Sequence, residues 1–155
     1  MDDKSYMREA IQMATANVGN GGGPFGAIIV KDGKVIGRGV NRVTAENDPT
    51  AHAEVSAIRD AARHEGNFDL TGATIYTSCE PCPMCLGAIY WAHIAKIFYG
   101  NTKTDAAEIN FDDSFIYKQL SLPEAERAIP QEQILHSEAI ATFRAWESKT
   151  DKEEY

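Results

Sequence analysis

Residues 73–99 read ATIYTSCEPCPMCLGAIYWAHIAKIFY, and this stretch decides the fold. Ala73 to Thr77 is a short run carrying β-branched and aromatic residues, which predicts a strand. Glu80-Pro81 forces a turn, and Pro83 suits the first turn of a helix, where a missing N–H costs nothing. The spacing predicts that helix over Pro83 to about His93, and Ile94 to Tyr99 reads as a second strand. Strand, helix and strand in this order predict parallel pairing through a helical crossover.

Towards the N-terminus a similar step precedes this one. Phe25–Val30 and Val35–Val40 are apolar runs separated by Lys31-Asp32-Gly33-Lys34. Asp-Gly between such runs signals a hairpin, because a type I′ turn needs positive φ at both central residues. Asn41–Pro49 reads as a polar loop, and Thr50 can N-cap a helix that runs to about Glu65 and stops at Gly66. Ahead of the hairpin, Met7, Ala10, Ile11, Ala14 and Val18 fall at helical spacing from Ser5 to Val18, until Gly19-Asn20-Gly21-Gly22-Gly23-Pro24 ends the helix. Beyond Gly100, helices are expected near Ser114–Leu120 and from about Ser137 to Ser148. No repeat or linker interrupts the 155 residues, which read as a single α/β domain.

Charge and cysteine usage narrow the function. Lys and Arg total 15 against 23 Asp and Glu, a formal charge of −8. Nucleic-acid binders draw most of their affinity from a basic face, so this balance disfavours a polynucleotide substrate. The start, MDDKSYMREA, is polar, and no apolar run has membrane-spanning length, so a cytoplasmic protein is expected. All three cysteines fall between 79 and 85. Such a cluster cannot form a disulfide framework and points to metal binding or catalysis.

The chemistry lies in two motifs, His52-Ala53-Glu54 and Pro81-Cys82-Pro83-Met84-Cys85. Neither decides alone. His-x-Glu is common, and Cys-x-x-Cys can be redox-active or half of a structural zinc knuckle, with Cys79 closing the fourth position. Placed at the starts of two helices that aim at one spot, His52, Cys82 and Cys85 make three soft or borderline ligands, a set that favours zinc and leaves one position for water. Glu54, beside the ligands and not needed as one, can then move protons. His64, His93 and His136 show no ligand spacing and are expected to face solvent.

Together the two motifs resemble the cytidine deaminase-like superfamily of zinc nucleobase deaminases. Asn47–Glu54 and Thr77–Cys85 are similar to its purine-acting branch. That resemblance implies a three-layer α/β/α sandwich around a mixed five-stranded sheet and one zinc ion per subunit. His52 stands where the small cytidine deaminases usually carry cysteine. Asp105-Ala106-Ala107-Glu108, then Phe111–Tyr117, and the acidic C-terminal end with Tyr155 resemble guanine deaminases. This implies hydrolysis of guanine to xanthine and ammonia in purine catabolism. A tRNA adenosine-to-inosine deaminase is the alternative, and a non-catalytic zinc module a third reading.

The resemblance also assigns roles. Glu54 takes a proton from the attacking water. A carboxylate of the Phe111–Tyr117 segment, Asp113 in preference to Asp112, contacts the base edge and helps protonate the departing amine; the plainer reading makes Asp113 the N-cap of a helix beginning at Ser114. Phe25 and Trp91 stack on the purine and Asn41 hydrogen-bonds it, against the plainer readings of a core aromatic and a turn asparagine. Tyr155 closes the pocket of a partner subunit, in a homodimer that exchanges the segment from about residue 137 to 155.

Overall fold

The structure is a computed structural model, described here over residues 2–155. The first helix, α1 (Asp3–Gly19), starts where the Asp2 carboxylate accepts a hydrogen bond from the Ser5 N–H at 2.8 Å. It buries Tyr6, Ala10, Ala14 and Asn17, whereas Ile11 and Val18 of the expected apolar stripe are exposed. Small residues decide which face turns inward. At Gly26 an added Cβ would meet the Ala10 carbonyl at 2.6 Å, so helix and strand are in backbone contact there.

The hairpin forms as read: β1 (Gly26–Lys31) and β2 (Lys34–Val40) are joined by Asp32 at φ 51° and Gly33 at φ 74°. A one-turn helix, α2 (Val43–Glu46), lies in the polar loop. Helix α3 (Ala53–Glu65) stops at Gly66, which is left-handed, but Thr50 is not its N-cap. The Thr50 N–H and hydroxyl both donate to the Asp48 carboxylate, at 2.8 and 2.6 Å. That local turn holds the chain out of the helix until His52, which becomes the N-cap. Then follow β3 (Thr74–Cys79), α4 (Pro83–Trp91), β4 (Lys96–Asn101) and a further short helix, α5 (Lys103–Glu108).

The strand order is β2-β1-β3-β4, with β1 antiparallel to both neighbours and β3 parallel to β4. The α4 crossover therefore joins paired strands, as expected. The α3 crossover instead passes over β1, so β2 and β3 run in the same direction without pairing. The sheet is mixed, but it has four strands among the described residues and not five. After β4 a reciprocal capping box between Thr102 and Asp105 turns the chain into α5, and Pro123 and Pro130 interrupt the later segment.

The three layers are clear from the core. On one face Tyr6 of α1 packs with Ile28, Val30 and Tyr76; on the other Ala53, Ala57 and Ala61 of α3 and Ile89 of α4 pack with Ala27, Ile29 and Ile75. Ile28, Ile29 and Ile75 are fully buried, each contributing about 1.5–3 kcal/mol of transfer free energy. A Cβ at Gly39 would collide with the backbone of Ala53 and Ala57, so α3 lies directly on β2 and its first turn is held down on the sheet.

The chain divides into two compact units, Met1–Phe115 and Ile116–Tyr155. The second holds most of α6 (Ser114–Ser121), a 3-10 turn at Glu124–Glu126 and α7 (His136–Ser148), so both helices expected there are present. Within it the Arg127 Nε donates to the Gln119 and Leu122 carbonyls at 3.1 and 3.3 Å. None of its residues is buried, and Ile129, Ile134, Phe143 and Tyr155 are strongly exposed. Among the described residues no helix is long and apolar enough to cross a membrane.

Candidate active site

His52 and Cys82 are the N-caps of α3 and α4, both with extended backbone, and neither side chain caps its own helix. Cys85 sits one turn into α4 and is fully buried. His52 Nδ1 lies 3.5 Å from the Cys82 Sγ and 3.5 Å from the Cys85 Sγ. All three ligand atoms fall within 4.8 Å of one another. The positive ends of two helix dipoles therefore meet where two sulfurs and an imidazole converge.

The protonation pattern follows from these contacts. The hydrogen bond from Cys85 holds the Cys82 thiol down at about 4, with His52 adding to the effect. Cys85 is pushed the other way, far up, by its bond to Cys82 and by burial. His52 is raised by its bond to Cys82. Cys79 stands apart from the set: its thiol reaches the Thr102 carbonyl at 3.8 Å, and burial pushes it up to about 11. It is not in the converging trio, so the closed four-ligand knuckle has no geometric basis here.

The trio fits zinc. Tetrahedral zinc with sulfurs at about 2.3 Å and nitrogen at about 2.0 Å separates its ligand atoms by about 3.5–3.8 Å, and the imidazole–sulfur distances here are 3.5 Å. Three protein ligands leave a fourth direction, the arrangement of catalytic zinc centres. Glu54, in the first turn of α3, is 6% exposed, and burial raises its carboxyl to about 7. Its carboxyl feels the nearby Cys82, His52 and Cys85, which places it beside the ligands and outside their set.

The remaining residues separate. The Asn41 N–H donates to the Phe25 carbonyl at 3.2 Å, and the next residue, Arg42, donates from its N–H to the Ala51 carbonyl at 2.9 Å, beside His52. Phe25 and Asn41 are thus together and one short step from the metal ligand. The Phe25 ring meets Phe111 edge-on, with centroids 5.0 Å apart. The two aspartates stand in different environments. Asp112 accepts from the Ser114 N–H at 2.8 Å, and the Ser114 side chain together with that N–H holds its carboxyl below the usual range, while half-buried Asp113 is raised by desolvation and by the nearby charge of Cys82. Glu80 accepts from the Lys103 N–H at 3.1 Å and so ties the cysteine turn to α5.

Trp91 is the last residue of α4, 67% exposed, and six residues or about 9 Å along the axis from Cys85. Tyr155 ends the second unit and is exposed. Two residues escape the sequence reading. Phe111 falls inside a segment singled out there without a role of its own. Asn17 is a buried amide on the alanine face of α1, and its only signal was that polarity.

A three-ligand zinc centre held between two helix N-termini, with a buried carboxyl beside it, on one face of a mixed sheet defines a zinc-dependent hydrolytic deaminase. Residues 1–101 match the family described as the cytidine and deoxycytidylate deaminase zinc-binding region, and the chain belongs to that family. It is 52% identical to the guanine deaminase of Bacillus subtilis over 156 aligned residues, covering all of both chains. The crystal structure of a guanine deaminase from Bacillus subtilis superposes with a TM-score of 0.97 at 52% identity, over 100% of this chain and 99% of that one. A tRNA-specific adenosine deaminase of Haemophilus influenzae is 35% identical over 97% of this chain and 89% of its own length.

Proposed function

We propose that this chain hydrolyses guanine to xanthine and ammonia. The observation that carries the reading is the His52–Cys82–Cys85 cluster with Glu54 buried against it, in a chain similar from end to end to a guanine deaminase. When bound by His52, Cys82 and Cys85, zinc supplies a water made acidic enough to ionise near neutral pH.

The chain's own residues do the rest. Glu54 accepts a proton from the water that attacks C2 of guanine and delivers it as the amine departs, so that water and guanine become xanthine and ammonia. A carboxyl raised to about 7 by burial suits both halves of that transfer at neutral pH. Asp113, whose partner role at Ser114 is taken by Asp112, meets the N–H edge of the base and assists the leaving amine. Phe25 offers a ring face and Asn41 an amide at the other side. Trp91 joins the pocket, and Tyr155 closes the pocket of a partner subunit, both on the strength of the resemblance.

The protein acts as a homodimer in which residues from about 137 to 155 are exchanged with a partner subunit. A 40-residue segment that buries none of its side chains while exposing Ile129, Ile134 and Phe143 supports this, since such surface is normally covered. Its mass in solution is expected to be twice that of the chain, and removal of residues 137–155 should yield a monomer without turnover; light scattering checks both. Three free cysteines, two of them metal ligands, suit a reducing compartment, and we place the protein in the cytoplasm as an enzyme of purine breakdown.

The test is ammonia release from guanine, adenine, cytosine and their nucleosides by the zinc-loaded full chain. Release from guanine alone is expected. Silence on every free base, with turnover of a tRNA anticodon loop, would move the assignment to the tRNA enzymes, against the net charge of −8.

A further inference from the structure

The glycine-rich bend between α1 and β1 is held by one side chain. Asn17, 7% exposed, donates from Nδ2 to the Gly23 carbonyl at 2.8 Å and to the Asn41 carbonyl at 2.9 Å. Its own carbonyl accepts from the Gly22 N–H at 2.9 Å. The Gly23 carbonyl also accepts from the Phe25 N–H at 2.9 Å. One amide group therefore clips together the loop that carries Phe25 and the end of β2 that carries Asn41. It does so just beyond Gly26 and Val40, where the hairpin ladder stops. Burying an amide is unfavourable unless it is bonded, and both Nδ2 hydrogens are used here. Gly22 completes the arrangement, because a Cβ there would collide with the Asn17 side chain.

Asn41 shows what the clip positions. Its Oδ1 accepts from the Val43 N–H at 3.2 Å, which fixes the amide, and its Nδ2 donor suits a carbonyl or ring-nitrogen acceptor of guanine. We propose that Asn17 is a positioning residue for the base pocket: it sets the spacing between the Phe25 ring and the Asn41 amide, and through that spacing the KM for guanine. The inference rests on the reading of Phe25 and Asn41 as base contacts.

Asn17→Asp keeps the shape but turns a carboxylate towards two carbonyls. In steady-state kinetics on the zinc-loaded full chain it should raise KM for guanine about 5–10-fold, the equivalent of one or two lost hydrogen bonds. Zinc content should not change, and kcat should stay within about twofold. Gly22→Ala, which pushes the same amide aside, should do the same and serves if Asn17→Asp does not fold. Because Asn17 acts through Asn41, Asn17→Asp combined with Asn41→Ala should raise KM by less than the product of the single effects. An unchanged KM in both Asn17→Asp and Gly22→Ala overturns the inference, as does a fall in kcat and zinc with KM intact. A full product in the double variant, with KM raised in Asn41→Ala, overturns it alone. A normal KM in Asn41→Ala overturns the reading of Asn41 and this inference with it.

Discussion

Glu54→Gln should keep its zinc and lose at least ~10²-fold in kcat for guanine, about 2.7 kcal/mol of barrier. Glutamine matches the carboxyl in shape and can occupy the same buried position against Cys85, but it cannot take up a proton. The metal should stay because the three converging ligand atoms belong to His52, Cys82 and Cys85. Zinc analysis alongside kcat separates the two functions. Full turnover in this variant would remove Glu54 from proton transfer, and loss of zinc would make it a part of the metal site.

The cysteines should divide in the opposite way. Cys82→Ala and Cys85→Ala each delete one of three ligands, and both should lose zinc and activity together. Loss of a partner that merely orients a ligand weakens metal binding by 10–100-fold, so loss of a ligand itself should cost at least about 100-fold. Cys79→Ala should retain both, because its thiol faces the Thr102 carbonyl at 3.8 Å and lies outside the cluster. Zinc release by Cys79→Ala, measured by titration with a chromogenic chelator, would make Cys79 a fourth ligand and the centre structural. Within each variant, far-UV circular dichroism checks that the helices remain, since Cys82 and Cys85 also occupy the first turn of α4.

Much of this site could be read along the chain because its parts are local. Asp32-Gly33 closes a hairpin whatever surrounds it, since the turn type demands positive φ at both positions. Cys82 and Cys85 share a helix face by spacing alone, and Pro83 marks where that helix starts. His52 and Glu54 were likewise placed at a helix start, although the start was expected at Thr50. There a side-chain bond to Asp48 competed with the helix and delayed it, a contest that propensity does not resolve.

What stayed out of reach depends on contacts between distant segments. The expectation of five strands came from resemblance, and the capping box at Thr102 and Asp105 turns the chain away from the sheet after the fourth. Asp112 and Asp113 are chemically identical neighbours; only the fold puts one on the Ser114 N–H and the other near the charge of Cys82. Asn17 is 24 residues from the Asn41 carbonyl it holds, and no local pattern reports that bond. By itself the sequence determined the elements, the ligand types and their spacing, because turns, caps and helix faces obey short-range sterics. Tertiary structure alone decided that β1 lies between β2 and β3, that the N-termini of α3 and α4 meet, and which aspartate lies near Cys82, because those outcomes follow from which faces can be buried together.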